Sequence, residues 1–529
     1  MTPPTAPRVA ALRALALSVA LGAALAGAAL FLQFASSSGL TVLDTLRGAL
    51  IGGTMAWLAW GAVQAMLGLL YRTRPVPRLS EGARIEGRTV VLLPICHEDP
   101  RETFARLAAI DASLENAPAR VDFAVLSDSR DPAAARAEAF WFSRLLAERN
   151  GAGRMFYRRR ERNLGRKAGN IGEFLAESGG AYDYALVLDA DSLMEGDTIV
   201  EMIRRMEADP GLGLLQTLPQ VVGARTLFGR AMQFAASLHS PIFARGIATL
   251  QGPAGPFWGH NALVRVRAFA ASCHLPPLSG KPPFGGHVLS HDTVEAALLV
   301  RGGWRVRLDP DLGGSFEEGP QDVLEHARRD RRWCQGNLQH LRLLGAPRLS
   351  PWGRFALAQG IASYLMPLLW LVLLLTAVPA VLLQSPPDYF PDGYVLFPVF
   401  PTDETAKALA LGLGVVAVLI APKIAILLTA LCVGAAPAFG GRLRLAVSTL
   451  AELALSTLLA PILLMLQTRA VLQVLVGTDG GWPATPRGAR GVGVLAAARA
   501  TWWIVIAGAA GLAVPAVVAP ELVPWALPV

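Results

Sequence analysis

The sequence predicts an α/β domain on a mostly parallel sheet, flanked at both ends by transmembrane helices. Three observations predict it. The chain has 529 residues, 53% of them hydrophobic, and a mean hydropathy of +0.41, too apolar for an ordinary soluble enzyme. The apolar residues gather at the two ends, whereas the middle, from about Arg84 to Arg354, has soluble composition and most of the charge. Within that middle, short apolar runs alternate with helical stretches, the mark of a mostly parallel sheet. The implied domains are residues 1–80, 81–350 and 351–529.

Composition also excludes. A net charge of +8 and a pI of about 9.7 mark, in a membrane protein, cytoplasmic flanks and contact with lipid headgroups rather than with nucleic acid. The four cysteines are scattered and form no Cys-x-x-Cys, so neither a disulfide framework nor a zinc site is expected. No internal repeat is visible. The first apolar stretch lacks a small-residue cleavage site and reads as an uncleaved anchor.

Residues 14–34 and 49–71 are each long and apolar enough to span a bilayer. Arg8 and Arg13 precede the first, and Arg72, Arg74 and Arg78 follow the second. Excess cations mark cytoplasmic flanks, so the polar middle is expected in the cytoplasm. There, 89–93, 121–126 and 154–158 read as strands, with helices over 102–113 and 133–148 between them. The run 185–188 is a further buried strand. Each of these strands runs into polar residues: Glu98, Asp128, the basic run 158–167, and Asp189. In a doubly wound sheet such ends converge on one crevice.

The strand at 185–188 stops abruptly at Asp189-Ala-Asp191. Two carboxylates one residue apart form a hard oxygen site. That suits Mg²⁺ or Mn²⁺, which keeps waters and takes other ligands from substrate phosphates. In isolation the pattern is short and more often a solvated acidic turn. Its neighbours change that reading. Asp128 and Glu98 are placed to accept hydrogen bonds from a base or ribose. Lys167 lies in a basic segment leading into a helix expected at Ile171, where a cation can meet a diphosphate; the surrounding arginines read equally as a solvated surface. Further on, Phe257-Trp258-Gly259-His260-Asn261 precedes a strand at 263–266. Asp292 opens a helix over 293–300, where it is either a helix cap or a general base. Arg332 and Trp333 lie on an amphipathic helix over 324–344. With 227–250, it is suited to lying against a membrane.

Taken in order, Asp128, Lys167-Ala-Gly-Asn, Asp189-Ala-Asp191, Phe-Trp-Gly-His-Asn, Ser-His-Asp292 and Arg-Asp-Arg-Arg-Trp333 resemble a processive family-2 glycosyltransferase, the plan of cellulose and hyaluronan synthases. The wording Leu-Ser-His-Asp and Arg-Arg-Asp-Arg-Arg-Trp-Cys-Gln-Gly-Asn is closer to the glucans biosynthesis glucosyltransferase H group, which makes osmoregulated periplasmic glucans in Gram-negative bacteria. The resemblance covers about 89–354 and extends weakly into both membrane regions. It implies a GT-A-like, Rossmann-like mixed sheet on the cytoplasmic side of a multi-pass inner-membrane protein. By position it implies that Glu98, Asp128 and Lys167 hold uridine diphosphate, with Asp189 and Asp191 on the diphosphate and metal and Asp292 as base. Trp258, Gly259, His260, Arg332 and Trp333 fall to the acceptor. The implied partners are UDP-glucose, a growing glucan (a β-1,2-linked backbone), membrane lipid, an acyl carrier protein and a periplasmic glucan-processing protein. The Gln of the family's Gln-x-x-Arg-Trp motif is Arg329 here, which puts a direct transfer of acceptor hydrogen bonds in doubt.

Beyond the domain, 355–383 and 407–433 read as spans, the second interrupted by Pro422-Lys423. Residues 385–404 are acidic, Pro-rich and free of Lys and Arg, as expected outside the cytoplasm. Arg442 and Arg444 mark the cytoplasm again. If 446–466 crossed, Arg469, Arg487 and Arg490 would fall outside, so an interfacial or re-entrant helix is expected. Residues 502–518 are a last span. The group carries more membrane sequence here, which implies a shortened C-terminus. Two other classes fit parts of the pattern: a non-processive transferase onto a lipid carrier, and a membrane receptor or transporter with a nucleotide-sensing domain.

Overall fold

The computed structural model describes residues 7–36, 40–71, 76–80, 82–384, 389, 397, 404–480 and 492–526. The stretch expected at 385–404 lies almost wholly outside the described residues, as do Arg72, Arg74, Arg487, Arg490 and the last three residues. The chain divides into two units, one drawn from residues 1–9, 71–361 and 473–492, the other from 10–70, 362–472 and 493–529.

The chain opens with α1 (Pro7–Ala35) and α2 (Val42–Leu70). They approach through small residues. A side chain on Gly27 would strike Met55, and one on Gly52 would reach the Ala24 carbonyl. Close backbone approach is what holds helix pairs together in lipid, where burial of apolar surface offers no force.

The α/β unit then alternates. β1 (Arg88–Ile95), α3 (Pro100–Ser113), β2 (Arg120–Ser127), α4 (Pro132–Arg149) and β3 (Met155–Arg159) build one half. α5 (Arg166–Ser178), β4 (Tyr184–Val187), β5 (Leu193–Met194), α6 (Gly196–Glu207), β6 (Leu212–Gln216), β7 (Gln220–Val222) and α7 (Leu227–Gln251) follow. β8 (Ala262–Arg265), α8 (Val266–Ser272), α9 (His291–Arg301), β9 (Arg305–Leu308), β10 (Ser315–Glu318) and α10 (Val323–Gln339) complete it. Seven strands form one sheet in the order β3-β2-β1-β4-β8-β6-β9. Its pairs are parallel except those of β8, which runs antiparallel to β4 and β6. β5, β10 and β7 form a second, small sheet beyond the end of β4.

Both faces of the main sheet are covered, which is why its central strands read as unbroken apolar runs. Val91, Leu93, Phe123 and Leu186 pack against Leu107 and Ile110 of α3 and Ile199, Met202 and Ile203 of α6. Their neighbours Val90, Leu92, Ala124 and Val187 pack on the other side against Phe174 of α5, Phe269 of α8 and Leu299 of α9. The period of two along each strand assigns the faces.

One boundary moves a site residue. The helix expected at Ile171 starts at Arg166, so Lys167 stands in its first turn. Gly165 takes a left-handed turn with φ 68°, and a Cβ on Gly169 would fall 1.9 Å from the Leu164 carbonyl oxygen. The two glycines let the chain fold back tightly enough for the helix to begin there.

The later helices are α11 (Pro351–Leu375), α12 (Ala377–Leu382), α13 (Thr405–Cys432), α14 (Arg442–Leu475) and α15 (Val494–Val518). Among the described residues, six helical stretches are long and apolar enough to cross a membrane, including 351–382 and all of α14. α13 runs unbroken through Pro422-Lys423. Lys423 Nζ pairs with both carboxylate oxygens of Glu452 on α14, at 2.8 and 3.0 Å. α14 is one continuous helix of 34 residues.

Leu186 is fully buried at the sheet centre. Leu186→Ala is expected to lower stability by about 2–5 kcal/mol, read as a fall in melting temperature of the detergent-solubilised protein.

Candidate active site

The carboxyl ends of β1, β2 and β4 meet on one edge, as their parallel register requires. At β4 the chain turns tightly. The Asp189 N–H donates to Ser192 Oγ and the Ser192 N–H to the Asp189 carbonyl, both at 3.0 Å. Arg106 of α3 braces this turn from below, donating to the Ala190 carbonyl at 3.1 Å and pairing with Glu318. The turn leaves Asp191 8% exposed, while the Asp189 side chain remains about a third exposed (35%).

Lys167 Nζ reaches Asp189 in a close ion pair and donates to the Gly259 carbonyl at 2.6 Å. It therefore ties α5, the end of β4 and the loop before β8 together. That loop is held by Gln216, which is fully buried at the end of β6. Gln216 Oε1 accepts the Trp258 N–H at 2.9 Å, and its Nε2 donates to the His260 carbonyl at 3.0 Å. Gly259 has φ 83°, and a Cβ there would sit 3.5 Å from Asp292 Cβ. The positive φ favours glycine there, and a Cβ would still be in ordinary contact with Asp292. Gly259 thus lies between the Lys167–Asp189 pair and Asp292.

Asp292 is the second residue of α9, whose N-cap is Ser290. Its Oδ1 accepts the next N–H, that of Thr293, at 3.0 Å. Asp292 thus accepts a first-turn N–H while the N-cap position itself belongs to Ser290. The neighbouring His291 is engaged, with Nδ1 at 2.9 Å from Glu295 Oε2. Burial works against charge on this imidazole, but Glu295, helped by Asp292, outweighs it and raises the pKa. A histidine held towards its protonated form is poorly suited to take a proton.

At β2 the structure changes the reading of the basic run. Arg160 grips Asp128 with two hydrogen bonds, the Nη2–Oδ2 one at 2.9 Å, and both side chains are nearly sealed from solvent. Arg160 also collects the carbonyls of Leu164 and Arg166. Arg158 is drawn in as well, donating to Asn170 Oδ1 at 2.8 Å while Asn170 Nδ2 donates to the Leu126 carbonyl. These two arginines are internal braces, and sequence reading missed them. The signal was there: in an extended segment, 158 and 160 share a face that 159 does not. Glu98 lies nearby, accepting the Cys96 N–H at the end of β1.

α10 abuts the start of α9. Gly336 fits against Ser290, where any side chain would clash, and His340 Nε2 meets the Ser290 carbonyl at 2.8 Å. Trp333 on this helix is 44% exposed, and the Arg329 guanidinium lies 5.4 Å from its ring centre. Arg329 also donates to the Glu318 carbonyl at 3.4 Å. Arg332 is half-buried. From the far end of the chain, residues 473–480 dock on the same helix. Arg331 donates to Gln473 Oε1 and the Thr478 carbonyl, and Gln335 donates to Asp479 Oδ1 at 2.7 Å. Nothing local in the sequence signalled that contact.

Among the described residues no three His, Cys, Asp or Glu side chains are grouped to hold a metal ion. Asp189 and Asp191 together offer a hard oxygen pair, a donor set that suits Mg²⁺ or Mn²⁺ with remaining ligands from water and phosphate.

Comparison with known proteins identifies the family. A family model described as glycosyl transferase family group 2 matches residues 184–435. A glucans biosynthesis glucosyltransferase H from Cereibacter sphaeroides is 56% identical over 98% of this chain and 87% of its own length. Proteins of the same name from Rhodopseudomonas palustris and Vibrio cholerae are 41% identical over 86% and 84% of the chain. The chain spans only 64% and 62% of those two relatives. Among solved structures, a mannosyltransferase from Pyrobaculum calidifontis in complex with GDP-Man and Mn²⁺ shares 16% identity at a TM-score of 0.48, covering 78% of this chain and 99% of its own. The protein is a membrane glycosyltransferase with a GT-A-like α/β domain. More narrowly, the chain belongs to the glucans biosynthesis glucosyltransferase H family. That membership sets aside a receptor or transporter without enzymatic activity.

Breaking the sealed Arg160–Asp128 pair leaves a buried carboxylate without its partner. Arg160→Met is expected to cost about 3–5 kcal/mol, with Arg160→Lys restoring part of it. Thermal unfolding of the purified protein with and without added UDP checks both.

Proposed function

We propose that the enzyme transfers glucose from UDP-glucose to a growing β-glucan, repeatedly and with inversion, and that the polymer leaves across the inner membrane. The observation that carries this reading is the gathering of Lys167, Asp189 and Gly259 at one point, with Gly259 directly against Asp292. A cation for a departing diphosphate, a pair of acids for a divalent ion and a further carboxylate then share one edge of the sheet. The high identity to glucosyltransferase H of C. sphaeroides over nearly the full chain supports glucan as product.

In this reading Asp128 and Glu98 receive the uridine, and Lys167 meets the diphosphate. Asp189 and Asp191 would hold Mg²⁺ or Mn²⁺, which when bound offsets negative charge on the departing UDP. Lys167 contributes to the same end, as a preorganised cation does where charge develops. Asp292 takes the proton from the acceptor hydroxyl as that oxygen attacks the anomeric carbon. A single base facing away from the leaving group inverts the centre, so an α-linked donor yields a β-glucoside, here a β-1,2 backbone. Trp333, with Arg329 against one side of its ring, offers a surface on which an acceptor sugar stacks; Arg332, Trp258 and His260 complete that side.

The same reading places the α/β unit in the cytoplasm of a multi-pass inner-membrane protein. Arg442 and Arg444 put the start of α14 there. The bonds from α10 to Gln473, Thr478 and Asp479 favour the same side for its end. A helix whose two ends share one side lies along the interface, whatever its length. An acyl carrier protein and a periplasmic glucan-processing protein are the further partners.

Two variants test the chemistry. Asp191→Asn should abolish transfer and sharply weaken binding of UDP with Mg²⁺ or Mn²⁺, measured in purified membranes; retained activity would overturn the metal assignment. Asp292→Asn should leave UDP binding intact while transfer falls about 10²–10⁴-fold, as followed by UDP release. Topology is tested by labelling: a cysteine introduced near Asp128 should resist a membrane-impermeant reagent in intact cells.

A further inference from the structure

Glu317 is a carboxylate at this edge that the proposed chemistry does not use. β10 pairs antiparallel with β5, Phe316 opposite Leu193 and Ser315 opposite Met194. Continuing that register sets Glu317 opposite Ser192, one residue from Asp191. The small second sheet exists, in effect, to bring β10 back beside the turn that carries the two aspartates.

Its partners are few. Glu317 Oε2 lies 3.4 Å from His260 Nε2, and among the described residues its side chain meets no other hydrogen-bond or ion-pair partner. The imidazole is turned to it by design. Asn261 is fully buried, and its Nδ2 donates to Ser315 Oγ at 2.9 Å and to the Phe316 carbonyl at 3.2 Å. That leaves Asn261 Oδ1 to face His260 Nδ1, at 3.4 Å, and Nε2 to face Glu317. The next residue offers a contrast: Glu318 is paired with Arg106. Burial pushes the Glu317 carboxyl up, and Asp191 and Asp189 push the same way against His260 and Arg329. A quarter of the Glu317 side chain remains exposed, so the oxygen that does not face His260 is open to a donor from the crevice.

The chemistry of that donor is narrow. Among the described residues Glu317 is not grouped with Asp189 and Asp191 as a third ligating side chain. A phosphate would be repelled. A neutral hydroxyl satisfies the oxygen without adding charge, and sugars present several. We propose that Glu317, oriented by His260, accepts a hydrogen bond from a sugar hydroxyl beside the aspartate pair, and so helps to set which sugar is accepted. This rests on the reading of Asp189 and Asp191 as the donor site.

The hydroxyl belongs either to the glucose being transferred or to the terminal unit of the acceptor, and a substrate–variant cycle separates them. The full-length enzyme in membranes is assayed as wild type, Glu317→Ala and Glu317→Gln with UDP-glucose, a panel of UDP-deoxyglucoses, and deoxy-terminated oligoglucoside acceptors. The expected result is one deoxy position that lowers kcat/KM of the wild type by roughly 10–100-fold and makes no further difference in Glu317→Ala. Cancellation in the donor panel assigns the contact to the transferred sugar, and cancellation in the acceptor panel to the terminal unit. Inhibition by UDP alone should be unchanged. Losses identical in wild type and both variants across both panels would overturn the proposal, as would UDP weakened as much as UDP-glucose. Should the alanine variant fail to fold, Glu317→Leu, close in size and without an acceptor, carries the same cycle. Unimpaired transfer by Asp191→Asn would instead overturn the donor-site reading beneath it.

Discussion

The edge of the sheet depends on one ammonium. Lys167 Nζ meets the Asp189 carboxylate and the Gly259 carbonyl together, and so fixes three segments that are distant in the chain. Asp189, Asp191, Asp292 and Glu317 crowd the same region. In a medium less polarisable than water their repulsion is steep; the upward push on Glu317 comes first from burial, with Asp191 and Asp189 adding to it. A lysine on the first turn of a helix is well suited to offset that charge while remaining able to turn towards a phosphate. Arg160 does for Asp128 what Lys167 does for Asp189, but in a sealed, two-pronged geometry that holds the carboxylate rigidly.

The loops that carry these groups are held by buried amides rather than by apolar packing. Gln216, Asn170 and Asn261 are all fully buried, and each bonds to the backbone of a neighbouring segment. A satisfied polar network of this kind specifies one conformation, because any shift strands a donor or acceptor away from water. Glycines serve the same end by letting backbones meet: Gly169 against Leu164, and Gly336 against Ser290. Each letter of Lys167-Ala-Gly-Asn is thereby explained except the alanine, which nothing here requires.

The departure at Arg329 has a structural account. Where the wider family places glutamine, the guanidinium lies over Trp333 and bonds to the Glu318 carbonyl. It thus couples α10 to the strand that carries Glu317. The ring face it covers is occupied, so a stacked sugar would use the other. In the membrane unit, Lys423 and Glu452 form a second coupling, between α13 and α14. Ionisable pairs within apolar helices are retained at a cost, and here the cost secures the only described ion pair between those two helices.

The sequence by itself determined the elements of the sheet's first half and that they form a mostly parallel sheet, because apolar runs covered on both faces and helices of strict period leave few alternatives. It also determined that acids stand at the ends of parallel strands, since strand ends are local facts. Boundaries set by glycine geometry escaped it, as with the start of α5. What only the tertiary structure decided is which groups face one another. That Arg160 turns inward to Asp128, that β10 returns beside Asp191 carrying Glu317, and that residues 473–480 dock on α10 are all contacts across 30 to 150 positions of chain. Local propensity holds no information about such pairs. The first rests on the parallel pairing of β3 with β2, the second on the antiparallel pairing of β10 with β5, and the third on hydrogen bonds from α10 to a segment far along the chain.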